Sequence, residues 1–303
     1  MKNRVAKKFR KLRDRTFEKL KRSKIESILS SSSPADTSKA DVELPSLLAK
    51  TKSREINYGY APIDLWHRAI KRCNELLTID TISDPGKRVL DIGCGDGMLG
   101  CLLDAFGHDV ELIDMEDWRC EQAKTVKFTA GKVDGGTMAF PDNSFDLLVS
   151  YNVFEHLDSP QACFNDAARL LKPGGVLFIS VNPIFNCDWG YHAYRAVPIP
   201  YCQHLFDREL LNEKIREIGI QDLGRELTDP QSLNEWKWSE FSSLFSSEPR
   251  LELIDLKLQK SIQHLKWILE FPNSFQGRGL SYDDVSVAGF QVTLRKKSSR
   301  EEN

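Results

Sequence analysis

A chain of 303 residues, 41% hydrophobic and 28% charged, is long enough to bury one full α/β core, and its composition excludes wholesale disorder. No apolar run approaches the roughly 18 residues that cross a bilayer, and the basic N-terminus has no apolar stretch behind it, so neither a spanning helix nor a secretory signal is expected. Seven cysteines, an odd number with no C-x-x-C pair, read as reduced thiols of a cytoplasmic protein. The net charge of −2 hides an asymmetry: residues 2–24 hold twelve Lys/Arg against Asp14 and Glu18, leaving 30 basic and 42 acidic side chains over residues 25–303.

In chain order, Val5, Phe9, Leu12, Phe17, Leu20, Ile25 and Ile28 give one apolar stripe on a basic amphipathic helix. Ser30 to Ser33 and Pro34 end it, and the stretch to Lys52 reads as a Ser-rich linker, which sets residues 1–52 apart from a body over 53–303. A helix is expected from Asp64 to Leu77. Strands follow at Arg88–Ile92, Asp109–Asp114, Lys127–Val133, Phe145–Tyr151 and Val176–Asn182, separated by helices near 97–106, 116–123 and 160–171. Near-continuous apolar strands alternating with helices mean a parallel sheet covered on both faces. Beyond this core (86–182) come an aromatic and proline-rich insert (183–250) with a helix at 207–218, then C-terminal strands and a helical insert (251–297). Leu251–Leu258 is preferred over Asp222–Leu227 as the sixth strand, and Gly289–Arg295 is the last. The expected fold is α/β: a seven-stranded, mostly parallel Rossmann-like sheet with an antiparallel last strand, an N-terminal helical arm and a lid after strand five.

The first strand runs into Val89-Leu90-Asp91-Ile92-Gly93-Cys94-Gly95-Asp96-Gly97. Glycines between a strand and a helix let backbone approach a ligand and aim helix N–H groups at it. Dinucleotide enzymes space them G-x-G-x-x-G, but here Met98 fills the third position and Asp91 precedes the loop. Asp114 closes strand two 21 residues after Gly93, where an acidic side chain holds a ribose diol. A solvated strand-end aspartate is the plainer reading of the same residue. Further on stand Val133-Asp134-Gly135-Gly136-Thr137-Met138-Ala139-Phe140-Pro141-Asp142-Asn143-Ser144-Phe145-Asp146, then Tyr151-Asn152-Val153-Phe154-Glu155-His156-Leu157 and Leu171-Lys172-Pro173-Gly174-Gly175.

In their order over residues 88–182, these blocks resemble the motifs of class I S-adenosylmethionine-dependent methyltransferases. The resemblance implies S-adenosylmethionine as cofactor, bound by Asp91, Gly93, Cys94, Gly95, Asp114, Met115, Asp134, Gly135 and Asn152. Asp134 would accept from the adenine amino group, and the Gly135 N–H would reach a ring nitrogen. The stretch Asp188-Trp189-Gly190-Tyr191-His192 and Pro198-Ile199-Pro200-Tyr201-Cys202-Gln203-His204-Leu205-Phe206 is similar to an insert in methyltransferases of surface-polysaccharide gene clusters. That likeness implies O-methylation of a glycan or glycolipid precursor.

Methyl transfer to an alcohol gains from a general base, and the candidates are His192, His204 and His156. Trp189, Tyr191, Tyr194 and Tyr201 offer sugar-stacking faces, while plain packing is the competing reading of the whole aromatic run. Trp236, Trp238 and Trp267 read as core or lid residues. No metal site is expected: ubiquinone-type O-methyltransferases carry Glu where this chain has Asn152. The basic residues 1–28 suit an anionic membrane surface first, a solvated tail second and nucleic acid last. The alternatives are methylation of a quinone or other small phenol, a non-catalytic scaffold that keeps the cofactor pocket, and an NAD-dependent oxidoreductase.

Overall fold

The computed structural model describes residues 19–51, 61–133, 138–222, 225–228 and 232–298. Its centre is a seven-stranded sheet in the order β3-β2-β1-β4-β5-β9-β8. The strands are β1 (Arg88–Ile92), β2 (Asp109–Asp114), β3 (Lys127–Ala130), β4 (Phe145–Tyr151), β5 (Leu171–Val181), β8 (Leu251–Lys260) and β9 (Val287–Lys296). The first five run parallel, and β9 lies antiparallel between β5 and β8. The chain reverses strand order between β1 and β4, so the crevice beyond their carboxyl ends is where a ligand belongs.

Period-two alternation sorts the strand side chains into two layers. Val89, Leu147, Val149, Val176 and Phe178 face a cluster with Cys73 and Leu76 of α3 (Pro62–Leu76) and Leu103 of α4 (Met98–Ala105). Leu90, Leu148, Leu177 and Ile179 face the other way, onto Phe164 of α5 (Pro160–Leu170) and Phe241 of α8 (Trp238–Leu244). The sixth-strand preference holds: β8 joins the main sheet, and residues near 222–227 form a separate hairpin of β6 (Ile220–Asp222) and β7 (Arg225–Leu227).

Two expectations change. The expected helix at 116–123 is only a tight turn, Glu121–Thr125, because Arg119 folds back on Asp117 and donates to the carbonyls of Ala123 and Val126, offering the backbone a local alternative. The expected linker contains α2 (Ser38–Lys50), whose Ala40, Leu44 and Leu47 recur at helical spacing and are buried. Pro45, inside that helix, disguised the pattern.

Helix α1 is described from residue 19 to 29 and buries Ile25 and Leu29. Both helices enter one core with Ala193, Ala196, Tyr201, Leu205 and Ile215, the last on α7 (Arg208–Ile218). The apolar end of the basic arm is therefore spent on the protein's own body. Residues 1–18, the most basic part of the arm, lie outside the described residues. Among the described residues no helix is long and apolar enough to cross a membrane.

Candidate active site

The loop after β1 uses conformations that glycine adopts without strain. Gly93, Gly95 and Gly97 have φ of 70°, 52° and 72°. Gly93 also abuts the loop after β4, since a Cβ on it would lie 2.3 Å from Val153 Cγ2. Close helix–strand packing, the task of the third dinucleotide glycine, falls to Gly100, where a Cβ would meet Leu112 Cδ2 at 2.4 Å. Sequence spacing alone did not single out that glycine.

Asp114 is held on both oxygens: Gly95 N–H donates to Oδ2 at 2.9 Å and Met115 N–H to Oδ1 at 2.7 Å. A carboxylate offers about four acceptor sites, so each oxygen keeps capacity for a hydroxyl. Asp91 is 3% exposed. Burial pushes its carboxyl up to about 7, opposed by the Arg72 guanidinium and reinforced by Asp96 and Asp114. Asp96 itself is bridged to Arg68 at 2.8 Å. Asp91, Asp96 and Asp114 set a negative field around one glycine loop, tempered by Arg68 on Asp96 and by the raised Asp91. That field favours a ligand bearing ammonium and sulfonium charge over a pyrophosphate. This donor set fits S-adenosylmethionine, with its two cations and its ribose diol, and it argues against a dinucleotide.

The other cofactor candidates divide. Cys94 is buried, donates its N–H to Ile113 O at 3.2 Å and accepts from Gly97 N–H at 3.0 Å. Its thiol is pushed far above the ordinary range by burial, so the side chain stays protonated. Met115 is 63% exposed beside Asp114, as suits a side chain that packs on a ligand. Asn152, at φ 56°, donates its N–H to Ser180 O and accepts from Asn182 N–H, strapping the ends of β4 and β5 together. Asp134 and Gly135 lie outside the described residues.

The block after them has a physical explanation in Arg169, which the sequence reading passed over. Its guanidinium donates to the carbonyls of Met138 and Phe140 and pairs with Asp142 and Asp166. Asp146 accepts from Arg88 N–H and Lys172 Nζ, joining the starts of β1, β4 and β5.

Two of the three candidate bases come together. His156, past β4, has its Nδ1 2.7 Å from Ser232 O. Its ring meets that of His192, at φ 58°, with centroids 5.6 Å apart. From His192 the rings continue through Tyr194 at 6.2 Å, Trp189 at 5.8 Å and His264 at 5.4 Å. All five rings are half-buried and together form a wall, within which Trp189 Nε1 and His192 Nε2 are sealed from solvent. Asn234 closes it from behind: its N–H donates to Glu155 O, and its amide to the carbonyls of Phe154 and Leu157.

At the far end Asp188, 1% exposed, accepts from Ser261 Oγ at 2.6 Å and holds His264 Nδ1 at 2.6 Å. His264 lies within the C-terminal stretch 251–297, outside the residues that the motifs single out. A separation of 76 residues gives no motif that joins it to Asp188.

His204 does not belong to the site. It is 3% exposed and packed against Phe185 and Phe275, where burial holds its imidazole down at about 3, helped by Arg278. It is a neutral core residue with no path to an acceptor. Tyr201 is likewise sealed, its hydroxyl donating to Val285 O at 2.9 Å, and the Tyr191 hydroxyl donates to Asn212. Of the four aromatics expected at a sugar site, Trp189 and Tyr194 line the wall. Trp236 and Trp238 pack in the core as expected. Glu155 is 2% exposed with both oxygens sealed, and burial raises it to about 7 against the pull of His156. Among the described residues no group of three or more His, Cys, Asp or Glu is placed to hold a metal ion.

A sheet of this order, with a glycine loop and carboxylates at its switch point, defines a nucleoside-cofactor domain of the doubly wound α/β class. Residues 90–179 match a family model described as a methyltransferase domain. The chain carries a class I S-adenosylmethionine-dependent methyltransferase domain, and the cofactor of that class is S-adenosylmethionine.

It is similar to 2-methyl-6-phytyl-1,4-hydroquinone methyltransferase of Synechocystis sp., 29% identical over 45% of this chain and 42% of that protein. It is also similar to ubiquinone biosynthesis O-methyltransferase of Xanthomonas campestris pv. campestris, 35% identical over 32% of this chain and 43% of that one. The chain thus spans a little over two fifths of the length of these curated relatives. A SAM-dependent methyltransferase of Methanosarcina mazei superposes with a TM-score of 0.45 at 19% identity, over 71% of this chain and 94% of that one.

Proposed function

We propose that the protein transfers the methyl group of S-adenosylmethionine to a hydroxyl oxygen of a sugar unit in a glycan or glycolipid precursor. The observation that carries this reading is the contact between His156 and His192 at the carboxyl end of β4, at the head of the ring wall. S-adenosylmethionine, when bound, supplies an electrophilic methyl that a nucleophile displaces in line. Asp91 and Asp96 attract its cationic portion, Asp114 takes the diol, and Gly93 and Val153 hold the loop after β1 against the loop after β4. A neutral hydroxyl must lose its proton as it attacks. His192, at φ 58°, is the preferred base because its ring stands between those of His156 and Tyr194, and His156 is braced by Ser232 O. Trp189 and Tyr194 give the acceptor flat faces, and half-buried polar rings suit a hydroxylated ring better than an isoprenoid tail.

The test is methyl transfer from labelled cofactor to a panel of saccharide and phenolic acceptors. With the true acceptor, His192→Ala should lower turnover roughly 10²–10⁴-fold and leave cofactor affinity unchanged. Full turnover in both His192→Ala and His156→Ala would remove the base assignment. The second reading, a phenolic or quinol acceptor, is favoured by the names of the relatives. Labelled product from phenols alone would establish it in place of the first.

A further inference from the structure

The two edges of the sheet are built differently. β3 is four residues long, whereas β8 is ten residues long and, among the described residues, bonded only to β9. Its outer edge exposes a row of backbone donors and acceptors, the usual template for pairing with another chain. Three of its apolar side chains are open to solvent: Leu253 (47%), Ile254 (45%) and Leu258 (39%).

The sequence of that strand, Leu-Glu-Leu-Ile-Asp-Leu-Lys-Leu-Gln-Lys, is complementary to itself when reversed. In an antiparallel pair centred on Leu256, Asp255 stands opposite Lys257 of the second copy, and Lys257 opposite its Asp255. By the same count Ile254 faces Leu258 and Glu252 faces Lys260. Opposite charges and apolar pairs across an antiparallel ladder stabilise it, and like charges directly opposite destabilise it. Slipping the register by one residue sets Asp255 against leucine on either side. Slipping it by two sets Asp255 against Asp255, or Lys257 against Lys257. In the register about Leu256 every charged side chain of the strand meets an opposite charge. The central pairs, 255 to 257, also lie between the two irregularities of the β8–β9 ladder, at 253–255 and 259–260.

We infer that β8 pairs with β8 of a second copy of this chain, antiparallel about Leu256, joining two sheets into one. In the single chain Asp255 and Lys257 meet only each other, 3.3 Å apart and exposed, so little holds them from exchanging partners. Both also line, with Ile254, a groove of about 720 Å³ between β8, β9 and α3. Pairing sets the grooves of the two copies side by side across the axis, away from the glycine loop.

Sedimentation equilibrium of the full chain over a range of concentrations tests this. The wild type should be a dimer. Lys257→Asp sets aspartate against aspartate on both sides of the axis and should weaken association about tenfold. The double variant Asp255→Lys/Lys257→Asp keeps every pair opposite and should return to the wild-type constant. Retained cofactor binding and circular dichroism show that each variant is folded. A monomeric wild type at the highest soluble concentration would overturn the proposal. So would a dimer indifferent to Lys257→Asp, or one that the double variant fails to restore.

Discussion

The loop after β1 and the ring wall that runs from His156 to His264 are built by different physics. In the loop, position comes from backbone conformation over a few contiguous residues: three left-handed glycines, a strand end and a carboxylate that accepts from the loop itself. In the wall, position comes from contacts between residues far apart in sequence. His156 is held by Ser232, Asp188 by His264, and Phe154 by Asn234, at separations of 76, 76 and 80. A loop fixed by local geometry can be recognised in a string of letters. A wall fixed by remote contacts can be recognised only once the chain is folded.

Substitutions can break this contrast, and the largest effect is expected at Gly93. An alanine there must hold a φ of 70° and press its Cβ into Val153. The left-handed strain and the overpacking together should cost about 2–4 kcal/mol of stability. Denaturant titration checks this. An Ala variant as stable as wild type would mean that the two loops are not tied together there.

Asp114→Asn comes next, and it tests the ligand side of the same loop. Loss of charge-assisted hydrogen bonds to a diol should weaken S-adenosylmethionine and S-adenosylhomocysteine by about 10–100-fold in calorimetry. Unchanged affinity would remove the ribose assignment and leave Asp114 as a strap for Gly95 and Met115.

His204 sharpens the contrast from outside the wall, with the smallest effect on function. Its folded pKa, about 3, is depressed below the unfolded value of 6.5. The unfolded chain therefore binds more protons between those values, and stability present above pH 6.5 is lost as pH falls towards 3. His204→Phe removes that dependence. Its stability relative to wild type should rise on acidification by at most about 1.4 kcal/mol per pH unit, with turnover unchanged. A turnover loss like that of His192→Ala would return His204 to the chemistry.

The fold was legible because apolar strands and helix periodicity recur at fixed offsets, and the sheet from β1 to β9 follows them. The grouping of Asp91, Gly93 and Asp114 around the loop after β1 was legible because it is set by strand ends and glycines close in sequence. Gly100 escaped notice because its partner, Leu112, lies on the next strand, and no spacing rule reaches it. His204 was misplaced because a histidine in an aromatic run looks the same whether it lines a cleft or fills a core. Only burial separates the two. His264 was missed because its partner Asp188 lies 76 residues earlier in the chain. The helix over Ser38–Lys50 was hidden by a proline that its tertiary contacts override.

The shared core of Ile25, Leu29, Ala40 and Leu44 with Ala193, Ala196 and Leu205 ties the most recognisable part of the protein to its least recognisable part. A fragment trimmed to residues 86–182 would keep the glycine loop and Asp114 and lose His192 and Tyr194 together with the core on which they stand. In heredity as in the laboratory, the two ends of that core must change together. A new acceptor preference written into the segment after β5 has to be accommodated by helices laid down more than 140 residues earlier in the chain.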